Sequence, residues 1–304
     1  MVYDNIIIGG GPAGLTAGIY LSRAKMKVLI LDSGIAGGQM VLTHEIANYP
    51  GYESISGFML ASNMQNQAKK HGCEIKTNVR IEKYELKGDI KRIIMTNGDI
   101  YESRSVILST GGRSREIGAL GEGDFAGRGI SYCATCDGDF FQDREIMVVG
   151  GGNSALEEAV SLTTYASKVT IIHMLDEWQG FESAIKDMED NPKIDYIMNT
   201  KITEFKGEQG LKSVMLENVK TGVKEERNID GVFIFIGYVP NTEVFKGQVE
   251  LNKWSEIITD SKFATNIEGV YAAGDNIHKT YRQVTTAVGD GTNAALYTLE
   301  YLNS

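Results

Sequence analysis

The chain opens with an apolar run at residues 3–8, and three glycines follow it, Gly9, Gly11 and Gly14, in G-x-G-x-x-G spacing. A helical pattern of apolar positions covers residues 12–23, and a second apolar run at residues 27–31 ends at Asp32. Short runs rich in Ile, Val and Leu predict strands, and the pattern between them predicts a helix, so the segment reads as a βαβ unit. The glycine spacing has a mechanical meaning. The first glycine permits the tight turn, the second lets backbone approach a pyrophosphate, and the third lets helix and strand pack closely. The helix N-terminus then faces the phosphates, and an acid about 20 residues on can bind a ribose hydroxyl.

The same order returns later. Residues 145–149 predict a strand, Gly150, Gly152 and Ala155 give G-x-G-x-x-A, a helix runs through residues 157–162, and residues 169–172 make the next strand. Alanine is an accepted variant at the third position. Between the two units, residues 79–100 alternate as strands with polar turns, including an Asn-Gly turn at Asn97. The run Lys83, Lys87, Lys91 and Arg92 in this region is expected on a solvated face. Residues 231–237 and 269–275 predict two further strands, the second ending at Asp275. Too few strands precede residue 113 to finish a doubly wound sheet, so the C-terminal segment is expected to complete it. The predicted fold class is α/β, with two Rossmann-like (three-layer ββα-type) dinucleotide-binding domains, the second inserted into the first. Residues 1–113 and 244–304 form the outer domain and residues 114–243 the inserted one.

Composition narrows the partners. The chain has 304 residues and a formal net charge of −10, which disfavours nucleic acid or an anionic membrane as main partner, since both require a basic face. No apolar run approaches the ~18 residues of a membrane helix, and no secretory leader is visible, so a cytoplasmic protein is expected.

Cysteine is scarce. Cys73 stands alone and is expected to be structural, whereas Cys133 and Cys136 form C-x-x-C within SYCATCDGDF. At a helix start this spacing brings two sulfurs within bonding range and favours thiolate, and Asp137 follows as an acid able to manage a proton. Two core cysteines or half a metal site are the competing readings. A C-x-x-C beside dinucleotide-binding units favours redox chemistry, and no second ligand pair at zinc spacing is visible. His44, His173 and His278 show no charge-relay pattern and are not assigned to catalysis.

Several motifs together resemble one family. GGQM at 37–40, NYPG at 48–51, CATCDG at 133–138, GGGNSALEEA at 150–159, GVYAAGD at 269–275 and YRQVTTAVGDG at 281–291 resemble the bacterial-type, low-molecular-weight flavoprotein thioredoxin reductases, over essentially the whole chain. The resemblance implies FAD in the outer domain, with Gly9, Gly11 and Gly14 at the pyrophosphate and Asp32 at the adenosine ribose. It places Gln39 and Asn48 beside the flavin, Asp275 at the ribityl and phosphate region, and Arg282, Gln283 and Val284 along the isoalloxazine. It also implies that Cys136 is the sulfur next to the flavin, that Cys133 attacks the thioredoxin disulfide, and that Asp137 is the acid–base residue. A homodimer is implied as well, with hinges around residues 111–115 and 238–242.

One stretch departs from that family. NADPH-dependent members follow the second strand of the inserted unit with His-Arg-Arg, whose guanidiniums pair with the 2′-phosphate. Here the sequence reads His173, Met174, Leu175, Asp176, Glu177, Trp178, and residues 169–185 contain no Lys or Arg. NADPH is therefore disfavoured, although Asp176 offers a group for the ribose of NADH. The chain is similar in this respect to the ferredoxin-linked, pyridine-nucleotide-independent branch, which implies reduced ferredoxin as electron donor. Lys83, Lys87, Lys91, Arg92, Arg113 and Arg115 are the candidate docking cations. The alternatives are an NADH- or NADPH-dependent thioredoxin reductase, a flavoprotein electron carrier or ferredoxin–nicotinamide reductase that reduces no disulfide, and a catalytically silent dinucleotide-binding protein.

Overall fold

The computed structural model describes residues 1–304 with the exception of His44, together with the side chain of Leu42, and statements of absence below concern the described residues. The first apolar run is strand β1 (Val2–Ile8), followed by helix α1 (Pro12–Arg23) and strand β2 (Val28–Leu31). Gly11 caps α1 with extended backbone, and Pro12 fills the first helical position, where a missing N–H costs nothing. Helix α2 (Gly57–Lys70) begins at Ser56, whose hydroxyl accepts the Met59 N–H at 3.2 Å. Strands β3 (Glu74–Lys76), β4 (Ile81–Glu85), β5 (Lys91–Met95) and β6 (Ile100–Leu108) follow. The turn between β5 and β6 contains Asn97 and Gly98, the latter at φ 87°.

The chain divides into two compact units, Met1–Arg113 with Val239–Ser304, and Ser114–Tyr238. It leaves the first through β7 (Gly112–Ser114) and returns through β16 (Tyr238–Pro240), and these two strands pair with one another. In between lie α3 (Glu122–Phe125), β8 (Ile130–Ser131), α4 (Ala134–Asp137), β9 (Glu145–Val149), α5 (Asn153–Leu162), β10 (Lys168–Ile172), α6 (Glu182–Glu189), β11 (Ile194–Ile197), β12 (Thr200–Gly207), β13 (Leu211–Asn218), β14 (Lys224–Asn228) and β15 (Gly231–Ile234). They build a sheet in the order β11-β10-β9-β15-β8 and a three-stranded antiparallel sheet β12-β13-β14. Alternation along the parallel strands divides the core. Ile146, Val148, Val169, Ile171 and Phe233 pack with α5 and α6, whereas Met147, Val149, Ile172, Val232 and Ile234 pack with the antiparallel sheet.

After its return the chain adds β17 (Val270–Ala272) and α7 (Val284–Asn303) to the first unit. The sheet there runs β3-β2-β1-β6-β5-β4. Strand β6 holds two partners along its length: β5 pairs antiparallel with residues 100–103 and β17 pairs parallel with residues 106–108. Ile7, Ile30 and Ile107 face α1 and α7, while Ile6, Ile8, Leu29, Leu31, Val106 and Leu108 form the opposite face with Phe245, Val249 and Ile257. Each unit is thus a three-layer α/β domain, the fold class expected.

The expected solvated basic run is corrected at Lys91, which is 1% exposed. Its ammonium donates to the Gly88 carbonyl at 2.9 Å and lies over the Tyr301 ring, and burial pushes its pKa down. Lys83 and Arg92 remain exposed but pair with Glu85 and Glu102. These residues therefore do not present a set of free cations. The reason is the register of β5, which turns Lys91 and Ile93 to the buried face and Arg92 outward.

Helices α1 and α7 meet at a backbone-level contact. A Cβ at Gly291 would lie 2.2 Å from the Ala13 carbonyl oxygen. Gly291→Ala is expected to force the helices apart and to cost about 1–3 kcal/mol, the usual penalty of overpacking, read as a lower urea midpoint with an unchanged m-value.

Candidate active site

In the first unit the glycine turn has the anatomy the spacing predicts. Gly9 sits at φ 103°, and a Cβ there would lie 2.3 Å from the Ser109 carbonyl oxygen. A Cβ at Gly14 would lie 2.0 Å from the Gly9 oxygen, so this residue sets the close approach of α1. Gly11 is different: the nearest atom to its would-be Cβ is Gly38 Cα at 3.9 Å, which leaves that face open for a ligand. Asp32 anchors the turn, accepting the Gly10 and Gly34 N–H groups at 2.6 and 2.7 Å, one on each oxygen. Each oxygen keeps a further lone pair for a hydroxyl donor.

The remaining candidates on this unit gather at the carboxyl ends of its parallel strands, where open α/β sheets bind ligands. Asn48 donates to the Gln283 side chain at 3.4 Å, and Arg282 Nε lies 3.5 Å from the Asp275 carbonyl oxygen. Gln283 caps α7 in a reciprocal box with Thr286, and Val284 is the helix's first residue. Gln39 lies exposed in a short 3₁₀ turn, Gly38–Leu42. Asp275 bears most directly on ligand fit. Its Oδ1 is buried and accepts no hydrogen bond, the nearest cation being Lys279 Nζ at 3.9 Å. Burial pushes its carboxyl pKa up, Lys279 and Arg282 oppose this, and Asp290 adds to it. A buried acceptor without a donor is costly, and a ligand hydroxyl supplies what is missing. The open Gly11 face and the unsatisfied Asp275 oxygen together fit the expected dinucleotide.

Two groups here carried no sequence signal. Lys279 bridges Asp275 to Asp290, which it meets at 2.5 Å. Glu256, 8% exposed, accepts from Asn252 at 2.6 Å, contacts His278 Nδ1 at 2.7 Å and pairs with Arg282. The outer residues of this cluster continue to the surface, where His278 stacks on Trp254. Asn252 lies four residues away, but Arg282 and His278 are distant in sequence, and only the fold brings them to Glu256.

In the second unit, Cys133 and Cys136 are joined as a disulfide, with Cα atoms 5.3 Å apart. Cys133 caps α4, and the Cys136 N–H points at its sulfur from 3.2 Å. Because α4 is a single turn, that one N–H, rather than a long helix dipole, is the local field on the Cys133 sulfur. Asp137 closes the turn. Its Oδ2 accepts from the Ser131 hydroxyl at 2.6 Å, while burial pushes its pKa up, the Ser131 bond pulls it down and Asp139 raises it. Cys73 is buried, and burial raises its thiol pKa to about 12, in keeping with a structural role. No group of three or more His, Cys, Asp or Glu side chains suited to a metal occurs among the described residues.

The second glycine turn repeats the first with a different rim. Gly150, at φ 142°, abuts the Phe235 oxygen as Gly9 abuts that of Ser109, and Gly152 has nothing within 4 Å of its would-be Cβ. The position after the second strand, held by Asp32 in the first unit, is His173 here. Its ring fills the space beside Gly151, where a Cβ would meet it at 2.3 Å. His173 bonds the Glu177 carbonyl oxygen at 3.1 Å and stacks on Trp178, which also meets the Tyr196 ring edge-on. Asp176 lies exposed and paired with Lys220 at 2.8 Å, and this pairing holds its carboxyl below the usual range. It does not occupy the position expected of a ribose-binding acid.

The acid dependence of this architecture follows from Glu256. Burial pushes its pKa up, but Asn252, His278 and Arg282 outweigh that and hold the carboxyl below its ordinary value. A lowered folded-state pKa contributes stability above the unfolded value, which is lost as pH falls through the folded one. Glu256→Gln is expected to destabilise the protein by about 1–3 kcal/mol at pH 7 and to flatten the loss of stability below about pH 4.3. Urea unfolding at the two pH values checks this.

A family model described as pyridine nucleotide-disulphide oxidoreductase matches residues 3–291. The chain is 45% identical to a thioredoxin reductase of Peptoclostridium acidaminophilum over 310 aligned positions, covering 100% of this chain and 98% of that one. It is 43% identical to a 34.2 kDa protein in the rubredoxin operon of Clostridium pasteurianum, over 98% of this chain and 97% of that protein. Among solved structures, thioredoxin reductase from Streptococcus pyogenes superposes with a TM-score of 0.96 at 41% identity, covering 99% and 98% of the two chains.

Proposed function

The chain belongs to the thioredoxin reductases of the pyridine nucleotide-disulphide oxidoreductase family, and from that membership and the site geometry we propose that it reduces thioredoxin through Cys133 and Cys136 with electrons drawn from reduced ferredoxin. The family uses FAD, and Gly9, Gly11, Gly14, Asp32, Gln39, Asn48, Asp275, Arg282, Gln283 and Val284 are the residues that would hold it here. Bound FAD supplies a two-electron store that can be filled one electron at a time. The chain's own residues do the rest. With the disulfide reduced to two thiols, the Cys133 thiolate attacks thioredoxin's disulfide to form a mixed disulfide. Cys136 then displaces it, leaving the Cys133–Cys136 disulfide and two thiols on thioredoxin. Asp137 takes and returns the proton that this exchange moves. Two copies of the chain are proposed to work together as a homodimer.

The observation that carries the ferredoxin assignment is the rim of the second glycine turn. His173 and Trp178 cover the position where a ribose acid and phosphate-binding guanidiniums are needed, and the nearby Lys220 is paired with Asp176. Each missing charge-assisted bond to a 2′-phosphate weakens binding by about 1.5–3 kcal/mol, or roughly 10- to 100-fold. The open face at Gly152 favours the rival, nicotinamide-dependent reading, because a pyrophosphate can be held by backbone alone.

Anaerobic mixing decides between them. Reduced ferredoxin is expected to bleach the flavin and support thioredoxin reduction, with NADPH and NADH inert at sub-millimolar concentration; rapid bleaching by either nucleotide ends the ferredoxin reading. The cysteine roles are tested separately by trapping. Cys136→Ser, reduced and mixed with oxidised thioredoxin, is expected to accumulate a covalent adduct visible on a non-reducing gel. Cys133→Ser is expected to give none.

A further inference from the structure

Ser131 lies two residues before the disulfide, 4% exposed, at the end of strand β8, where it pairs with Phe233 of β15. Its hydroxyl stands at the centre of three contacts. The Cys133 N–H donates to it at 3.1 Å, the Asp137 Oδ2 lies at 2.6 Å and the Cys133 carbonyl oxygen at 3.2 Å. A serine hydroxyl carries one hydrogen, so it can donate to only one of those two oxygens at a time. With Asp137 ionised, the hydrogen belongs on the carboxylate. With Asp137 protonated, the carboxyl can itself donate to the serine oxygen, and the serine hydrogen is released to the Cys133 carbonyl. That carbonyl already accepts the Asp137 N–H at 3.2 Å and has a second lone pair to offer.

We propose that Ser131 is a positioning residue for Asp137, holding the carboxyl next to the cysteine pair and, by turning its hydroxyl between Asp137 and the Cys133 carbonyl, keeping it bonded in both protonation states. This rests on Asp137 as the proton-handling group of the exchange. A buried carboxyl that must gain and lose a proton in each cycle otherwise leaves a donor or acceptor unpaired in one of its states, at a cost that slows the step. Ser131 suits the task because its own place is fixed twice. Strand pairing holds its backbone, and the adjacent Tyr132 hydroxyl donates at 2.9 Å to buried Glu122, which also accepts the Ile117 and Gly118 N–H groups at 3.0 and 2.8 Å. Of the charged groups around Asp137, Asp139 is the one that acts on it. The cysteine thiols join it once reduced, while Glu157 on neighbouring α5 acts on Glu158.

The test uses the holoenzyme reduced with dithionite, so that the identity of the natural donor does not enter. The rate of thioredoxin disulfide reduction is followed against pH for the wild type, Asp137→Asn, Ser131→Ala and Ser131→Thr. Asp137→Asn is expected to lose the carboxyl-dependent limb of the profile; if that limb survives, Asp137 is not the proton-handling group and the proposal falls with it. Ser131→Ala removes a bond that favours the ionised carboxylate, so the limb is expected to move to higher pH. The displacement should be about one to two pH units, the worth of one charge-assisted hydrogen bond. Ser131→Thr, which keeps the hydroxyl, is expected to return the limb towards its original position. An infrared titration of the Asp137 carboxyl band, assigned as the difference between wild type and Asp137→Asn, gives the same shift without turnover. Superimposable Ser131→Ala and wild-type profiles, with the Asp137 limb intact in both, would overturn the proposal.

Discussion

A helix can be brought hard against the strand that precedes it only if no side chain stands between them, and both units are organised by that steric limit. In the first, Gly14 meets the Gly9 oxygen and Gly9 meets the end of β6 at Ser109; in the second, Ala155 and Phe235 press on Gly150 in the same way. These contacts set how closely α1 and α5 approach the strands before them, and with that the place of the helix starts at the carboxyl ends of the strands. In the first unit Asp275, Arg282 and Gln283 reach that end through β17 and α7. Their place depends on Gly291, which lets α7 lie against the backbone of α1.

The two turns then diverge in charge and bulk rather than in backbone. After β2 the chain returns over the turn with Ala36, Gly37 and Gly38, and the Gly37 N–H bonds the Gly10 carbonyl oxygen at 2.6 Å. After β10 it takes an equivalent course, with the Gln179 N–H on the Gly151 oxygen at 2.8 Å, but it carries Glu177 and Trp178. Small residues leave room beside the glycines. The stack of Trp178 on His173 fills it, and the acid that completes the first turn has no counterpart in the second. Backbone amides can still hold an anion there, but the specificity of a nicotinamide nucleotide resides in its ribose and 2′-phosphate contacts, which need side chains.

Much of this was legible in the sequence, because the glycine spacings, the flanking apolar runs and the C-x-x-C pair are local signals with local causes. The class of fold, both glycine turns and the pairing of Cys133 with Cys136 required no long-range information. What escaped was long-range or depended on register. Lys91 reads as one more cation in a basic run, and only the pairing of β5 with β6 turns it inward beneath Tyr301. Glu256 acquires Arg282 and His278 from 26 and 22 residues away, across a loop that no periodicity predicts. Asp176 carries the right chemistry for a ribose but stands three residues past the position that Asp32 occupies in the first unit. Counting acids along the chain does not reveal that offset.

The glycines of a nucleotide fingerprint are therefore unequal as evidence. Gly9 and Gly150 are demanded by positive φ and by the strand end they touch, and Gly151 is demanded by the His173 ring, whatever the turn binds. Only the middle glycine of each triplet, Gly11 and Gly152, faces open space. At Gly11 the opening is joined by an acid at the turn and a buried, unsatisfied carboxylate oxygen at Asp275, three features that converge on one ligand. At Gly152 it stands alone, and glycine is in any case well tolerated as a helix N-cap. The intact second motif is thus accounted for by packing and capping, and it carries no obligation to a nucleotide; the two turns should be weighed by what surrounds the open glycine, not by the spacing they share.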